Sequence, residues 1–140
     1  MLSALDISTS ALVAQRHRLS TIANNIANLQ TTRNESGELE PYQAKFVTFK
    51  TKAPQGATLG AAGVEVNAVE TSTAEPLWRY QPGHPDALTE GPRTGYVAYP
   101  NVNMMEEFTD SLTASRAYEA NVGVLEVTKE MMQQTLRILA

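Results

Sequence analysis

The sequence predicts an α+β chain in which long N- and C-terminal helices form a coiled-coil layer, with a small β-rich module between them. Three observations carry that prediction. Near the start, Leu5, Leu12, Leu19 and Ile26 fall one heptad apart. Near the end, Phe108, Leu112, Ser115, Tyr118, Val122, Leu125, Met132, Leu136 and Leu139 step forward by three or four residues, with a single gap of seven between 125 and 132. Both spacings are those of a helix with one apolar face. All seven prolines lie between Pro41 and Pro100, and seven of the eight glycines lie between Gly37 and Gly95, so helix breakers are confined to the middle. The chain therefore divides into an N-terminal helical arm (1–35), a β-rich middle module with loops (36–102) and a C-terminal helical arm (103–140).

The first helix is expected over residues 3–30, capped by Ser3 or Asp6. Ile22 and Leu29 fill the positions beside the heptad, whereas Ser8 and Gln15 hold them earlier on, so the stripe is weak at its start and strong at its end. From Gln30 to Glu40 polar residues replace the period, with Gly37 as a turn signal. Tyr42 to Lys50 alternates and is rich in aromatic and β-branched residues, which predicts a strand with Pro41 tolerated at its edge. A small-residue loop is expected over 54–63. A second strand then places Val64, Val66 and Ala68 on one face, and Leu77–Tyr80 and the run from Gly95 to Tyr99 supply two more. Trp78, the only tryptophan, is expected to anchor the core of this module. Pro82-Gly83-His84-Pro85-Asp86 reads as a compact turn. Asn103 can cap the last helix, with Glu106 three residues on and Glu107 and Asp110 suited to the positive end of the helix dipole.

Charge narrows the function. The net charge of -4 argues against binding driven by nucleic-acid phosphates. Residues 1–33 carry three arginines against Asp6, giving +2, while residues 103–140 carry three basic and six acidic groups, giving -3, so the arms are complementary in sign. With no cysteine, disulfides and thiolate metal sites are excluded. His17 lies beside two arginines and His84 in a turn, and no spacing of His, Asp and Glu gathers a metal set. A His-Pro-Asp triplet also marks co-chaperone J domains, but there it joins two helices, and here prolines and glycines surround it. No catalytic constellation, phosphate-binding loop, cofactor or small-molecule substrate is indicated. The N-terminus lacks the basic region of a cleaved secretory signal, and no apolar run reaches membrane-spanning length. Two amphipathic arms without partners in their own segments predict a non-enzymatic protein that self-associates. A soluble helical adaptor or export-chaperone-like coiled-coil protein is the alternative, although it would need no β module.

Several stretches resemble a known family. Ala4-Leu-Asp-Ile-Ser-Thr-Ser-Ala-Leu12, then Ala23-Asn-Asn-Ile-Ala-Asn28 and Thr31-Thr32, resemble the opening of flagellar rod and hook axial proteins. PGHPDA at 82–87, GYVAYPNVN at 95–103 and ASRAYEANVGVL at 114–125 add to the resemblance, which spans essentially the whole chain and is closest to the proximal-rod members. Arg33 to Gly37 departs from the family pattern. The resemblance implies a subunit of the proximal rod of the bacterial flagellar basal body, in the periplasm, within the hollow shaft that transmits torque. It also implies passage through the flagellar type III export apparatus without a cleaved signal. The partners it implies are further copies of the chain, other rod proteins and the proteins of the rod–ring junction. The assembly interface it implies combines the two stripes (Leu5, Leu12, Leu19, Ile22, Ile26, Leu29; Phe108, Leu112, Tyr118, Val122, Leu125, Met132, Leu136, Leu139) with Asn24, Asn25, Asn28 and Asn121. The asparagines 24, 25 and 28 are expected to hydrogen bond between subunits.

Overall fold

A computed structural model describes residues 2–52 and 62–139, and side chains from residue 4 to residue 138 of that set. The Ser3 cap, most of the expected 54–63 loop and the side chain of Leu139 lie outside the described residues. The order is α1 (Leu2–Ala27), β1 (Lys45–Lys52), β2 (Gly63–Thr71), β3 (Leu77–Tyr80), β4 (Tyr96–Tyr99) and α2 (Met104–Leu139). All six elements expected from the sequence are present. Their edges differ from expectation by a few residues.

The two helices pack against each other in opposite directions, since Arg18 meets Asp110 and Asn25, further along α1, meets Glu107, earlier on α2. Asn103 caps α2 as expected, its Oδ1 accepting the Met105 N–H at 3.1 Å. Glu106 makes no return bond. Helix α1 stops at Ala27 rather than Gln30 because Asn28 turns the chain: its Nδ2 donates to the Asn24 carbonyl and its Oδ1 accepts the Thr31 hydroxyl. The following loop closes on Asn34, whose Oδ1 accepts from the Ser36 and Glu38 N–H groups while Gly37 turns at φ +82°.

The four strands do not cover one another as a single module. They form two separate antiparallel ribbons, β1 with β2 and β3 with β4. The first ribbon lies against α1, which is therefore packed by α2 and by β1–β2 together. At its start the approach is close: Ser10 Oγ accepts the Val64 N–H at 3.0 Å, and a Cβ on Gly63 would fall 2.8 Å from that oxygen. A bulge changes the expected facing of β2. Val47 pairs with Val69 and Phe49 with Val66, so Val69, not Ala68, shares the face of Val64 and Val66.

The second ribbon is tied down by the turn at 82–87. Gly95, at φ +82°, opens β4 and leaves no room for a side chain, because a Cβ there would meet the Tyr80 ring at 2.8 Å. Val97 is fully buried and anchors this ribbon. Trp78 is only half-buried, with the Arg93 guanidinium carbon 4.5 Å from its ring centroid, so the expected anchor role passes to the smaller residue. Asp86 does more than turn the chain. One carboxylate oxygen accepts the Thr32 hydroxyl and the other the Arg33 Nε–H at 2.7 Å, while its own N–H donates to His84 Nδ1. The turn thus latches the second ribbon to the loop that leaves α1.

The Thr32 and Arg33 hydrogen bonds hold the Asp86 carboxyl below the usual carboxylate range, with the Arg33 charge adding to the effect. A depressed carboxyl stabilises the fold at pH above its unfolded value of about 3.9, and that contribution is lost as pH falls through the lower folded value. Trp78 and Asp86 line the same small cavity, which makes the single tryptophan its reporter. On acid titration, Trp78 emission should show a transition below about pH 4 that is absent in Asp86→Asn. An identical transition in both proteins would show that Asp86 is not the latch.

Candidate assembly interface

Residue Asn25 joins three elements. It is 2% exposed, and every hydrogen-bonding position of its amide is occupied within the chain. Its Nδ2 donates to the Lys45 carbonyl at 2.7 Å and to Glu107 Oε1 at 2.9 Å. Its Oδ1 accepts the Lys45 N–H and the Tyr42 hydroxyl, each at 2.9 Å. The side chain thus pairs with the backbone of Lys45 as a neighbouring strand would, and fixes β1 and α2 to one point on α1. An inter-subunit hydrogen bond has no place left on this amide, which corrects the expectation for Asn25. Asn28 caps α1 and Asn121 donates to its own helix at the Ala117 carbonyl. Asn24 is exposed.

Burial raises the Glu107 carboxyl above the usual range, the Asn25 bond opposes this, and Asp110 and Glu106 add to it. Tyr42 is also raised, by burial first and by Glu107 second. The charge on Glu107 is therefore a cost at neutral pH that acid relieves: the folded chain binds the proton before the unfolded chain does, and stability falls as pH rises through the window between the two values.

The seam between the helices is built from small and polar groups. Ser8, Ala14 and Ile22 of α1 and Ala114 of α2 are buried, while Leu5, Leu12, Leu19, Ile26 and Leu29 are only half-buried. On α2, Val122, Leu125 and Met132 are half-buried. Phe108 and Leu112 are each 54% exposed and Tyr118 and Leu136 are exposed too, so the expected stripe bends away from α1 at both ends. Residues 107, 111, 114, 121, 125, 128 and 132 keep to the inward face, and the first three of them are Glu, Ser and Ala rather than large apolar residues. A second outward row, Val124, Val127, Met131 and Ile138, was missed because it keeps the same period on another face. At 36 residues against 26, α2 is ten residues longer than α1, about 15 Å. Beyond Met132 its described side chains are all exposed, with Ile138 at 84%.

Two substitutions separate the node from its charge. Asn25→Ala should lower stability by about 1 to 3 kcal/mol in denaturant melts, because a buried partner left unpaired costs roughly 1–3 kcal/mol and the partners here are partly buried. Glu107→Gln keeps the acceptor and removes the buried charge, so it should match or exceed the parent at pH 7, with any advantage shrinking in acid. A Glu107→Gln protein as unstable as Asn25→Ala would contradict this assignment.

Residues 5–33 match the family described as Flagella basal body rod protein, and residues 93–138 match Flagellar basal body rod FlgEFG protein C-terminal. Relatives named flagellar basal-body rod protein FlgC align over nearly the full length of both chains. That of Escherichia coli O6:H1 is 41% identical over 138 residues, covering 99% of this chain and 97% of its own. That of Borreliella burgdorferi is 35% identical over 150 residues, covering 99% and 97%, and that of Bacillus subtilis is 35% identical over 146 residues, covering 96% and 95%. The small helix seam, the outward apolar rows and this similarity converge: the chain belongs to the FlgC family of flagellar basal-body rod proteins, which is structural and not enzymatic.

Proposed function

We propose that the chain is a subunit of the proximal rod, exported through the flagellar type III apparatus without a cleaved signal and assembled in the periplasm. Its partners there are other copies of itself, other rod proteins and the proteins of the rod–ring junction. Together these subunits form the hollow shaft that transmits torque. The observation that supports this reading is the surface of α2. Phe108, Leu112, Leu136 and the Val124–Ile138 row expose large apolar side chains along most of a 36-residue helix. A chain that worked alone would bury them, since each fully buried side chain of this kind contributes about 1.5–3 kcal/mol. Interlocking with neighbouring helices supplies that burial, and the arms gain their full order in the assembled shaft. The adaptor alternative is not favoured: it accounts for neither the two ribbons nor the latch between the second ribbon and α1.

Phe108 and Leu112 lie outside the intrachain seam, so charge there tests assembly without testing the fold. Phe108→Asp and Leu112→Asp should keep the circular dichroism and melting of the parent within about 0.5 kcal/mol. Both should be absent from purified basal bodies and leave cells non-motile, because a carboxylate would be forced into a packed contact. Normal motility in both variants would overturn the reading of this face.

A further inference from the structure

The first ribbon is fastened to α1 at two opposite corners, and at each corner a side chain of α1 takes the place of a further strand. Asn25 bonds both the N–H and the carbonyl of Lys45, so the backbone of that residue faces away from β2. Alternation along the ladder turns Val47, Phe49 and Thr51 the same way. At the other corner Ser10 Oγ accepts the Val64 N–H, and Val69 and Thr71, opposite Val47 and Lys45, likewise face away from β1. The far half of each edge is left open: residues 49–52 of β1 are exposed throughout, as are Val69, Glu70 and Thr71 of β2. Among the described residues, the N–H groups of Phe49, Thr51, Val69 and Thr71 have no hydrogen-bond partner. The two open edges differ in charge. Strand β1 carries Lys45, Lys50 and Lys52, three of the chain's four lysines, whereas Glu70 stands on the open half of β2.

We infer that the open edge of β1 in one copy of this chain pairs antiparallel with the open edge of β2 in the next, so that neighbouring first ribbons continue into one sheet. This rests on the rod reading, which brings copies together, and adds to it a contact made by strands rather than by the terminal helices. Charge selects the occupant. Two β1 edges would set lysines against lysines and two β2 edges would set Glu70 against Glu70, and like charges directly opposite one another are destabilising. Edge lysines that discourage unwanted pairing thus spare the unlike edge alone. With Thr51 facing Val69 and Phe49 facing Thr71, Lys50 falls opposite Glu70 of the neighbour. Lys50 already meets Glu65 of its own chain at 3.0 Å, so the charges alternate across three strands. Because the two edges belong to opposite strands of one ribbon, each copy gives one edge and receives another, and pairing does not stop at two.

The chain has no cysteine, so introduced thiols report the contact directly. Basal bodies from cells that express Lys50→Cys and Glu70→Cys chains together are treated with a mild oxidant and read by non-reducing electrophoresis and peptide mass spectrometry. The expected result is a two-chain product joined from position 50 to position 70, absent when either variant is expressed alone. A chain carrying both substitutions should give a ladder of larger products. It cannot bridge itself, because Glu70 lies opposite Phe46, four residues along β1 from Lys50 and about 13 Å away, beyond disulfide reach. As a second measurement, Val69→Pro removes one outward N–H and leaves the ladder within the ribbon intact; it should keep the circular dichroism of the parent and reduce incorporation about threefold or more. A product from Lys50→Cys alone overturns the inference, as does no product from the mixture when both chains are present in basal bodies. Parental incorporation of Val69→Pro overturns it too, and decides alone where the cysteine chains do not enter basal bodies. Absence of the unsubstituted chain from basal bodies overturns the rod reading, and the strand pairing with it.

Discussion

The structure depends on one buried amide. Asn25 lies on the face of α1 where a large apolar residue would serve the helix seam, yet it is there that the first ribbon and the second helix are both attached. An apolar residue at 25 would pack, but it would leave the Lys45 backbone and the Tyr42 hydroxyl without partners in a partly buried site. Because the amide supplies two donors and two acceptors, each matched to a different group, it fixes register as well as contact. Arg18–Asp110 supports the same register from an exposed position, where an ion pair contributes little by itself. The order of events along α2 follows from this point: Glu107 is held, the small residues Ser111 and Ala114 allow close approach, and the larger side chains are left facing outward.

That distribution separates two tasks that a self-contained bundle would combine. Polar bonds and small side chains hold the chain together, through the Asn25 node, the Ser10–Val64 splice and the Asp86 latch. Most of the large apolar groups of α2 remain available for other molecules. Among the described residues the buried apolar core is limited to Ala14, Ile22, Val97, Val102 and Ala114, none larger than isoleucine. A subunit made this way is held in shape by specific bonds, and on the proposed reading it gains further hydrophobic stabilisation from its neighbours. The two charged sites respond to acid in opposite senses, since the Asp86 latch weakens whereas the Glu107 contact gains.

Much of this was legible in the sequence. Breaker placement and periodicity gave both helices and all four strands, because these signals are local. The inward face was harder to read. Ser8 and Gln15 look like weak points of a stripe, yet Ser8 is buried and the Gln15 Oε1 is buried without a partner, because the seam favours close approach over apolar volume. Asn25 carried a motif signal without revealing its bonds, since its partners at 42, 45 and 107 come from segments that only the fold brings together. The Thr32–Asp86 bond spans 54 residues and was invisible for the same reason. The β2 facing was misread because a single bulge shifts every later residue to the other face. Strand spacing alone cannot show where a bulge falls.

The central claim is that α2 exposes in the free chain a surface that assembly covers. Segment-resolved hydrogen exchange, measured on the dilute monomer and on the same chain within isolated basal bodies, tests it most directly. The free chain should protect residues 22–27, 45–52 and 97–102, around the Asn25 node and the second ribbon, while residues 133–139 exchange fast. In basal bodies, protection should extend along 104–139. Equal protection of 133–139 in both states would contradict the account, because that end of α2 would then need no neighbour to hold it.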